Sequence, residues 1–198
     1  MGMRTRAVVL VVAIVVGVVG CSADEPAPRA TPGRSAGAAS FVAPALALPR
    51  VAPGAPCPLT KSRAWSGPGQ AVRVLGEGPL YPIADYFGEG GATLELRPDD
   101  KQPDGTYGEK VRWLSVGYTG PVLIRGGRID GTGRAGARFL YWGEPRDGGW
   151  FAVLPDEEGL EYVDLPGATT VSGPGCYALQ VDGTNFSRTI VFNAVPSR

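Results

Sequence analysis

Near its C-terminal end the chain reads Thr184-Asn-Phe-Ser-Arg-Thr-Ile-Val-Phe-Asn-Ala-Val195, and no other stretch longer than ten residues after position 56 lacks both glycine and proline. Its centre, Thr189-Ile-Val-Phe192, is β-branched and aromatic, which favours a strand. Glycine accounts for 30 of the 198 residues, and it disfavours helices while it supplies turn geometry. No segment shows helical periodicity. The sequence therefore predicts an all-β fold.

Short apolar or β-branched segments recur between turn signals, at intervals close to the 8–12 residues typical of sandwiches and barrels. The predicted strands are 71–75, 80–87, 92–96, 111–118, 122–129, 138–142, 150–154, 160–165, 176–181 and 189–194. Asp-Gly pairs at 104–105, 130–131, 147–148 and 182–183 predict turns. We expect one domain with one core over residues 57–198.

The first residues are typical of a secretion signal. Arg4 and Arg6 precede the uncharged run 7–19, which is shorter than the ~20 apolar residues that a transmembrane helix requires. The run ends in Val18-Val-Gly-Cys21. This tetrapeptide resembles the lipobox of bacterial lipoproteins, in which the cysteine receives a diacylglyceryl group and the chain is cleaved before it.

The resemblance to a lipobox implies a signal peptide over residues 1–20 and a lipidated Cys21. The membrane partner is then a lipid anchor, and the location is the extracytoplasmic face of the cell membrane. An uncleaved anchor and an ordinary signal peptide with a chance cysteine are the alternatives.

Residues 21–56 have a composition of their own. They are rich in proline and alanine, and Phe41 is their single aromatic residue. Such a segment has too little apolar surface to offset the entropy of ordering it. We expect a disordered linker of extended polyproline type that holds the domain away from the membrane. One alternative stays open, because residues 41–48 are apolar enough for part of them to pack on the domain.

Two cysteines remain once Cys21 is assigned to lipid. Cys57 and Cys176 form an even pair in an oxidising compartment, so the sequence predicts a disulfide. Closing so long a loop is worth ~4–5 kcal/mol in chain-entropy models. The alternative is two unpaired buried thiols.

Three stretches carry a family resemblance: Lys110-Val-Arg-Trp113, Gly126-Gly-Arg-Ile-Asp-Gly131, and Gly173-Pro-Gly-Cys-Tyr177 with the final strand. They are similar to a group of uncharacterised secreted bacterial proteins that end in an immunoglobulin-like β-sandwich. The resemblance implies a single sandwich of this kind and brings no catalytic residues. Tyr177 stands where the group usually has tryptophan. The antibody-type Cys…Trp…Cys spacing is absent.

The composition excludes several chemistries. The chain has no histidine, which removes Ser-His-Asp and Cys-His nucleophile systems and most zinc sites. It has no Gly-x-Ser-x-Gly elbow, Walker loop or Ser-x-x-Lys motif. Its 19 basic and 19 acidic residues give no positive surplus for nucleic acid. We expect no catalytic residues, no cofactor and no metal.

Acidic residues gather in one glycine-containing loop, at Asp99, Asp100, Asp104 and Glu109. Oxygen-rich loops can bind calcium. The EF-hand spacing fails here because Val111 stands at the twelfth position. We expect a solvated loop, and nothing in the spacing indicates the paired carboxylates of a glycoside hydrolase.

Four aromatic residues are the candidate binding residues: Trp65, Tyr141, Trp142 and Trp150. Exposed aromatics beside arginines suit sugars or protein partners. The alternative is that they fill the core, as we expect of Trp113.

We expect a non-catalytic binding or accessory module for an envelope protein or glycan. A carboxylate-dependent glycan hydrolase and a purely structural envelope protein are the alternatives. A buried carboxylate pair in a cleft would favour the enzyme, whereas an exposed aromatic patch would favour the binding module.

Overall fold

A computed structural model describes residues 41–52 and 54–197. The predicted signal peptide, the lipidation of Cys21 and the linker up to residue 40 lie outside the described residues. Within the described residues the regular structure is strands and three 3-10 turns, and none of it is a helix long and apolar enough to cross a membrane. The all-β prediction is confirmed.

The strands are short and follow one another closely. They are β1 (Ser62–Ala64), β2 (Arg73–Leu75), β3 (Leu80–Pro82), β4 (Thr93–Leu96), β5 (Tyr107–Lys110), β6 (Trp113–Val116), β7 (Gly120–Arg128), β8 (Arg134–Phe139), β9 (Glu144–Arg146), β10 (Gly149–Leu154), β11 (Tyr162–Leu165), β12 (Gly167–Val171), β13 (Gly175–Gly183) and β14 (Ser187–Pro196). The 3-10 turns are Ala84–Tyr86, Gly88–Gly90 and Pro98–Asp100.

The strands form three sheets. β1 pairs with β2, and a second sheet has the order β11-β6-β3. The largest has nine strands in the order β4-β14-β13-β7-β8-β12-β5, with β10 attached to β7 and β9 to β10. Its pairs are antiparallel except for β14 with β4. This sheet curves nearly into a barrel, so an immunoglobulin-like sandwich is not confirmed.

The main core lies on the inner face of the large sheet. Alternate residues of β14, Ile190 and Phe192, point into it, and Tyr177 of β13 stacks on Phe192 with ring centroids 5.8 Å apart. Trp113 is 1% exposed and packs edge-on against Phe139, as expected of a core residue. Burying a large apolar side chain contributes roughly 1.5–3 kcal/mol, so these residues anchor the sheet.

The outer face of the same sheet is covered by residues 41–51, which we call the N-terminal strap. Phe41 packs against Leu123 and Phe151, with a ring distance of 5.8 Å to Phe151. Leu48 and Val51 pack against a second cluster formed by β13 and β14. Residues 41–48 therefore pack on the domain, which is the alternative that the sequence left open. The folded part begins before residue 57, where the domain was expected to start.

The predicted disulfide joins Cys57 to Cys176, 119 residues apart, with 5.6 Å between the two Cα atoms. It lies just after the strap and at the start of β13. The covalent bond therefore fixes the beginning of the domain to a strand that is paired on both sides.

Candidate functional site

The large sheet divides at β7. β10 pairs with the first half of β7, as far as Ile124, whereas β8 pairs with the second half at Gly126 and Gly127. Because both use the same edge of β7, β8 leaves that edge where β10 joins it. The opening has a volume of about 330 Å³, and we call it the fork cleft. Its lining residues are Asp104, Thr106, Gly126, Arg134, Ala135, Gly136, Ala137, Arg138, Gly148, Gly149, Trp150 and Thr170.

Glycines allow the strands to meet at the fork. A Cβ atom on Gly126 would lie 2.7 Å from the Ala178 carbonyl oxygen, and one on Gly149 would collide with the Ile124 carbonyl oxygen. Before β10, residues 147 and 148 both have positive φ, at 50° and 74°. These values match the type I′ hairpin turn that the Asp-Gly pair predicts. The cleft therefore depends on backbone approaches that no larger residue permits.

Two arginines give the cleft its charge. Arg134 and Arg138 are exposed on the outward face of β8, and Gly136 lies between them. Their Cα atoms are about 13 Å apart at the usual rise of a strand. Among residues 41–52 and 54–197, neither guanidinium has an ion pair or a hydrogen bond. Two separated positive charges are thus available to a ligand.

One carboxylate lines the same cleft. The Thr106 hydroxyl and amide donate to Asp104 at 2.7 and 3.0 Å. These hydrogen bonds lower the pKa of Asp104, and Arg134 lowers it further. Asp104 is therefore ionised at neutral pH, which leaves the cleft with a net positive charge.

Three of the four predicted aromatics form one cluster at the cleft. Trp150 lines it, and its Nε1 donates to the carbonyl oxygen of Trp142 at 2.8 Å. Tyr141 is 75% exposed and meets the Trp142 ring edge-on at 6.0 Å. Trp142 and Trp150 also pack against the core, so these rings are partly buried, and their role in binding stays a prediction.

Trp65 belongs elsewhere. Its ring lies 4.9 Å from Tyr81, and the Arg63 guanidinium lies over both rings at 5.2 and 5.0 Å. Its Nε1 donates to the Pro68 carbonyl oxygen at 3.1 Å. The structure therefore does not bring Trp65 to the fork cleft.

The acidic loop is only partly solvated. Asp99 and Asp104 are exposed, whereas the Oδ2 atom of Asp100 and the Oε1 atom of Glu109 are buried without a donor in the described part of the chain. Burial and a hydrogen bond with Asp100 raise the pKa of Glu109 to about 7, and Arg97 opposes the change. Glu109 therefore holds a proton at a higher pH than an exposed glutamate does.

This carboxyl pair does not have the geometry of a glycosidase. The two carboxyl groups of such enzymes stand roughly 5–9.5 Å apart and face the sugar and a water, whereas the Oδ2 atom of Asp100 and the Oε1 atom of Glu109 are buried away from solvent. Within the described residues, no three acidic or cysteine side chains gather into a possible metal site.

Comparison with known proteins adds nothing to this geometry. No family model, curated protein or solved structure matches the chain. The arginines of the cleft were not predicted as site residues because the strand was expected to begin at Arg138, whereas β8 begins at Arg134. The available signal was Arg134-Ala-Gly-Ala-Arg138, which places both arginines on one face of any strand that includes them.

Proposed function

We propose that the chain is a cell-envelope lipoprotein, anchored through Cys21 and displaying a non-catalytic binding domain outside the membrane. The basic start, the short apolar run and the lipobox-like tetrapeptide support the anchor. The disulfide supports an oxidising compartment. The proposal includes a relationship to immunoglobulin-like domains, which the Pro-Gly-Cys-Tyr start of β13 supports.

The ligand that fits the fork cleft best is an acidic glycan of the envelope. The observation that carries this proposal is the pair of exposed arginines beside Trp150, since the guanidinium groups of Arg134 and Arg138 form no ion pair or hydrogen bond among the described residues. Guanidinium groups bind carboxylates through paired charge-assisted hydrogen bonds, and an indole presents a flat apolar surface. A chain with two separated acidic groups can engage both arginines while one ring contacts Trp150.

Titration calorimetry of the full chain with acidic oligosaccharides tests this proposal, with neutral oligosaccharides of equal length as the matched ligand. We expect heat of binding only with the acidic series, and weaker binding at higher salt. Arg134→Ala together with Arg138→Ala should weaken binding by roughly tenfold or more, because two charge-assisted contacts are lost.

Arg188→Ala is the control, since Arg188 is exposed on β14 and does not line the cleft. Equal binding of both series, or an unchanged affinity in the double variant, contradicts the glycan assignment. Binding of an acidic peptide in place of the glycan would instead support a protein partner. We propose no catalytic role for Asp100 and Glu109. Release of shorter sugars from the oligosaccharides during the same incubations would contradict a purely binding function.

A further inference from the structure

The strap covers three polar side chains on the outer face of the large sheet. They are Arg125 of β7 and Gln180 and Asp182 of β13, and they are 9%, 3% and 0% exposed. Arg125 and Gln180 are directly opposite each other in the β7–β13 ladder. Buried polar groups of this kind are retained in folded proteins when they are hydrogen-bonded, so their partners indicate what this face binds.

Asp182 organises the group. Its Oδ2 atom accepts a hydrogen bond from Arg125 Nη2 at 2.6 Å, and Gln180 Nε2 lies 3.0 Å from both carboxylate oxygens. The Ser187 hydroxyl donates to Oδ1 at 2.7 Å. The Arg125 and Gln180 side chains are therefore fixed in position by the sheet itself.

These fixed side chains bind the backbone of the strap. The Gln180 amide accepts from the Ala47 N–H at 2.7 Å and donates to the Ala45 carbonyl oxygen at 3.1 Å. Arg125 Nη2 donates to the Pro44 carbonyl oxygen at 2.6 Å. One amide that binds an N–H and a nearby C=O of an extended segment recognises a backbone, whatever its side chains.

Apolar contacts lie at both ends of this polar centre. Phe41 fits against Leu123 and Phe151, and Leu48 contacts the cluster near the disulfide. Beyond them the Val51 N–H donates to the Ile129 carbonyl oxygen at 2.8 Å. Polar groups that hold the backbone, with apolar contacts at defined positions, are the two parts of extended-peptide recognition.

We propose that the outer face of β7, β13 and β14 is a binding groove for an extended apolar peptide, filled here by the chain's own residues 41–51, and that the same segment of a second copy binds it in trans. The strap itself shows the complementarity. Asp182 holds Arg125 and Gln180 from within the sheet as well, so we expect the groove to be organised before the peptide arrives, which lowers the cost of binding. The contacts that carry this proposal do not include Arg134, Arg138 or Trp150 of the fork cleft.

The test uses the full chain and a fluorescent peptide, Phe-Val-Ala-Pro-Ala-Leu-Ala-Leu-Pro-Arg-Val, with the sequence of residues 41–51. The attached strap competes at an effective concentration of order millimolar, so the wild-type chain should bind the peptide weakly. Replacing Phe41 and Leu48 by aspartate in the chain should release the strap and strengthen peptide binding at least tenfold, measured by fluorescence polarisation.

A chemically modified peptide tests recognition of the backbone. Methylation of the nitrogen at the position of Ala47 removes the N–H that donates to Gln180 and should weaken binding at least tenfold. Methylation at the position of Val42 is the control, since that side chain is 87% exposed and its amide has no partner in the described part of the chain. Equal weakening by the two methylations would overturn the proposal, as would no binding to an opened variant that keeps its β-type circular dichroism.

A measurement on the wild-type chain covers the case in which the opened variant does not fold. At saturating peptide, amide hydrogen exchange at Ala47 and Val51 should become faster, because the added peptide replaces the strap. Exchange that stays unchanged at every peptide concentration would also overturn the proposal.

Discussion

The strap-covered face and the fork cleft use the same residue type in opposite ways. Arg125 is buried, paired with Asp182 and bound to a strap carbonyl, whereas the guanidinium groups of Arg134 and Arg138 are exposed and form no ion pair or hydrogen bond among the described residues. A buried guanidinium requires partners because desolvation is expensive, and an exposed one does not. We therefore expect the buried Arg125 to stabilise the fold, whereas the exposed Arg134 and Arg138 are the residues that we propose to bind a ligand.

We expect the largest loss of stability from Asp182→Ala. The substitution leaves Arg125 buried without its carboxylate and removes the acceptor that fixes Gln180. Removing one partner of a buried pair costs about 3–5 kcal/mol. We expect a loss of this size in the free energy of unfolding by urea denaturation, with Asp156→Ala, at an exposed turn position, changing it by less than about 0.5 kcal/mol.

Removal of the disulfide ranks next. Cys57→Ser with Cys176→Ser frees the segment that follows the strap, and loss of a native disulfide typically costs about 2–5 kcal/mol. Thermal denaturation should show the loss, and amide exchange should rise at Val51 more than at Trp113. A uniform rise across the domain would show that the bond stabilises the fold without holding the strap.

The Asp100–Glu109 carboxyl pair is intermediate between these two regions. Both residues are half-buried, and the two groups of the pair are both acidic, unlike Arg125 and Asp182. The raised pKa of Glu109, about 7, means that the folded state favours the protonated acid. Its contribution to stability is therefore complete below the ordinary pKa near 4.5 and is lost as the pH rises through about 7.

The free energy of unfolding should accordingly decrease by about 1 kcal/mol between pH 5 and pH 8, a value discounted for the solvent screening of a partly exposed pair. Glu109→Gln should remove this part of the pH dependence, and Glu161→Gln, which alters an exposed glutamate, should retain it. Identical pH profiles for the two variants would contradict the raised pKa of Glu109.

We expect the smallest change in stability from the two arginines of the fork cleft. Arg134→Ala with Arg138→Ala should change the free energy of unfolding by less than about 0.5 kcal/mol, whereas Arg125→Ala should destabilise the domain by several times that amount because Asp182 loses its partner. Urea denaturation of the two variants measures this directly. A large loss of stability in the double variant would show that the cleft arginines support the fold.

The sequence predicted what local chemistry determines. β14 was expected from its β-branched centre, and its observed span, Ser187–Pro196, includes the predicted 189–194. β12, Gly167–Val171, was missed because the segment is short and begins at Pro166-Gly167, which signals a turn, although its last three residues are β-branched and Thr169 is fully buried between neighbouring strands. The turn predicted at 182–183 was wrong, since β13 continues through Gly183.

The fork cleft could be predicted only in part, because only some of its features depend on local sequence. Aromatic composition pointed to Trp150, which lines the fork cleft, and to Trp142, whose carbonyl oxygen accepts from Trp150, and a binding role for either ring stays a prediction. The meeting of β8 with β10 at one edge of β7 is a long-range feature, and no local pattern encodes it. The charge environment of Arg125 and Arg134 depends on which face the strap covers, and that too is decided by tertiary contacts.

The disulfide also determines how the domain responds to mechanical force. A pull on the chain ahead of residue 41 would first peel away the strap, releasing about 50 Å of chain at the extended length of the residues up to 56. The pull would then reach Cys57 and pass through the bond to Cys176, at the start of a strand with neighbours on both sides. The residues between the two cysteines lie inside a closed covalent loop and are shielded from tension. Under force the strap would therefore extend first, and the residues between the two cysteines would stay folded.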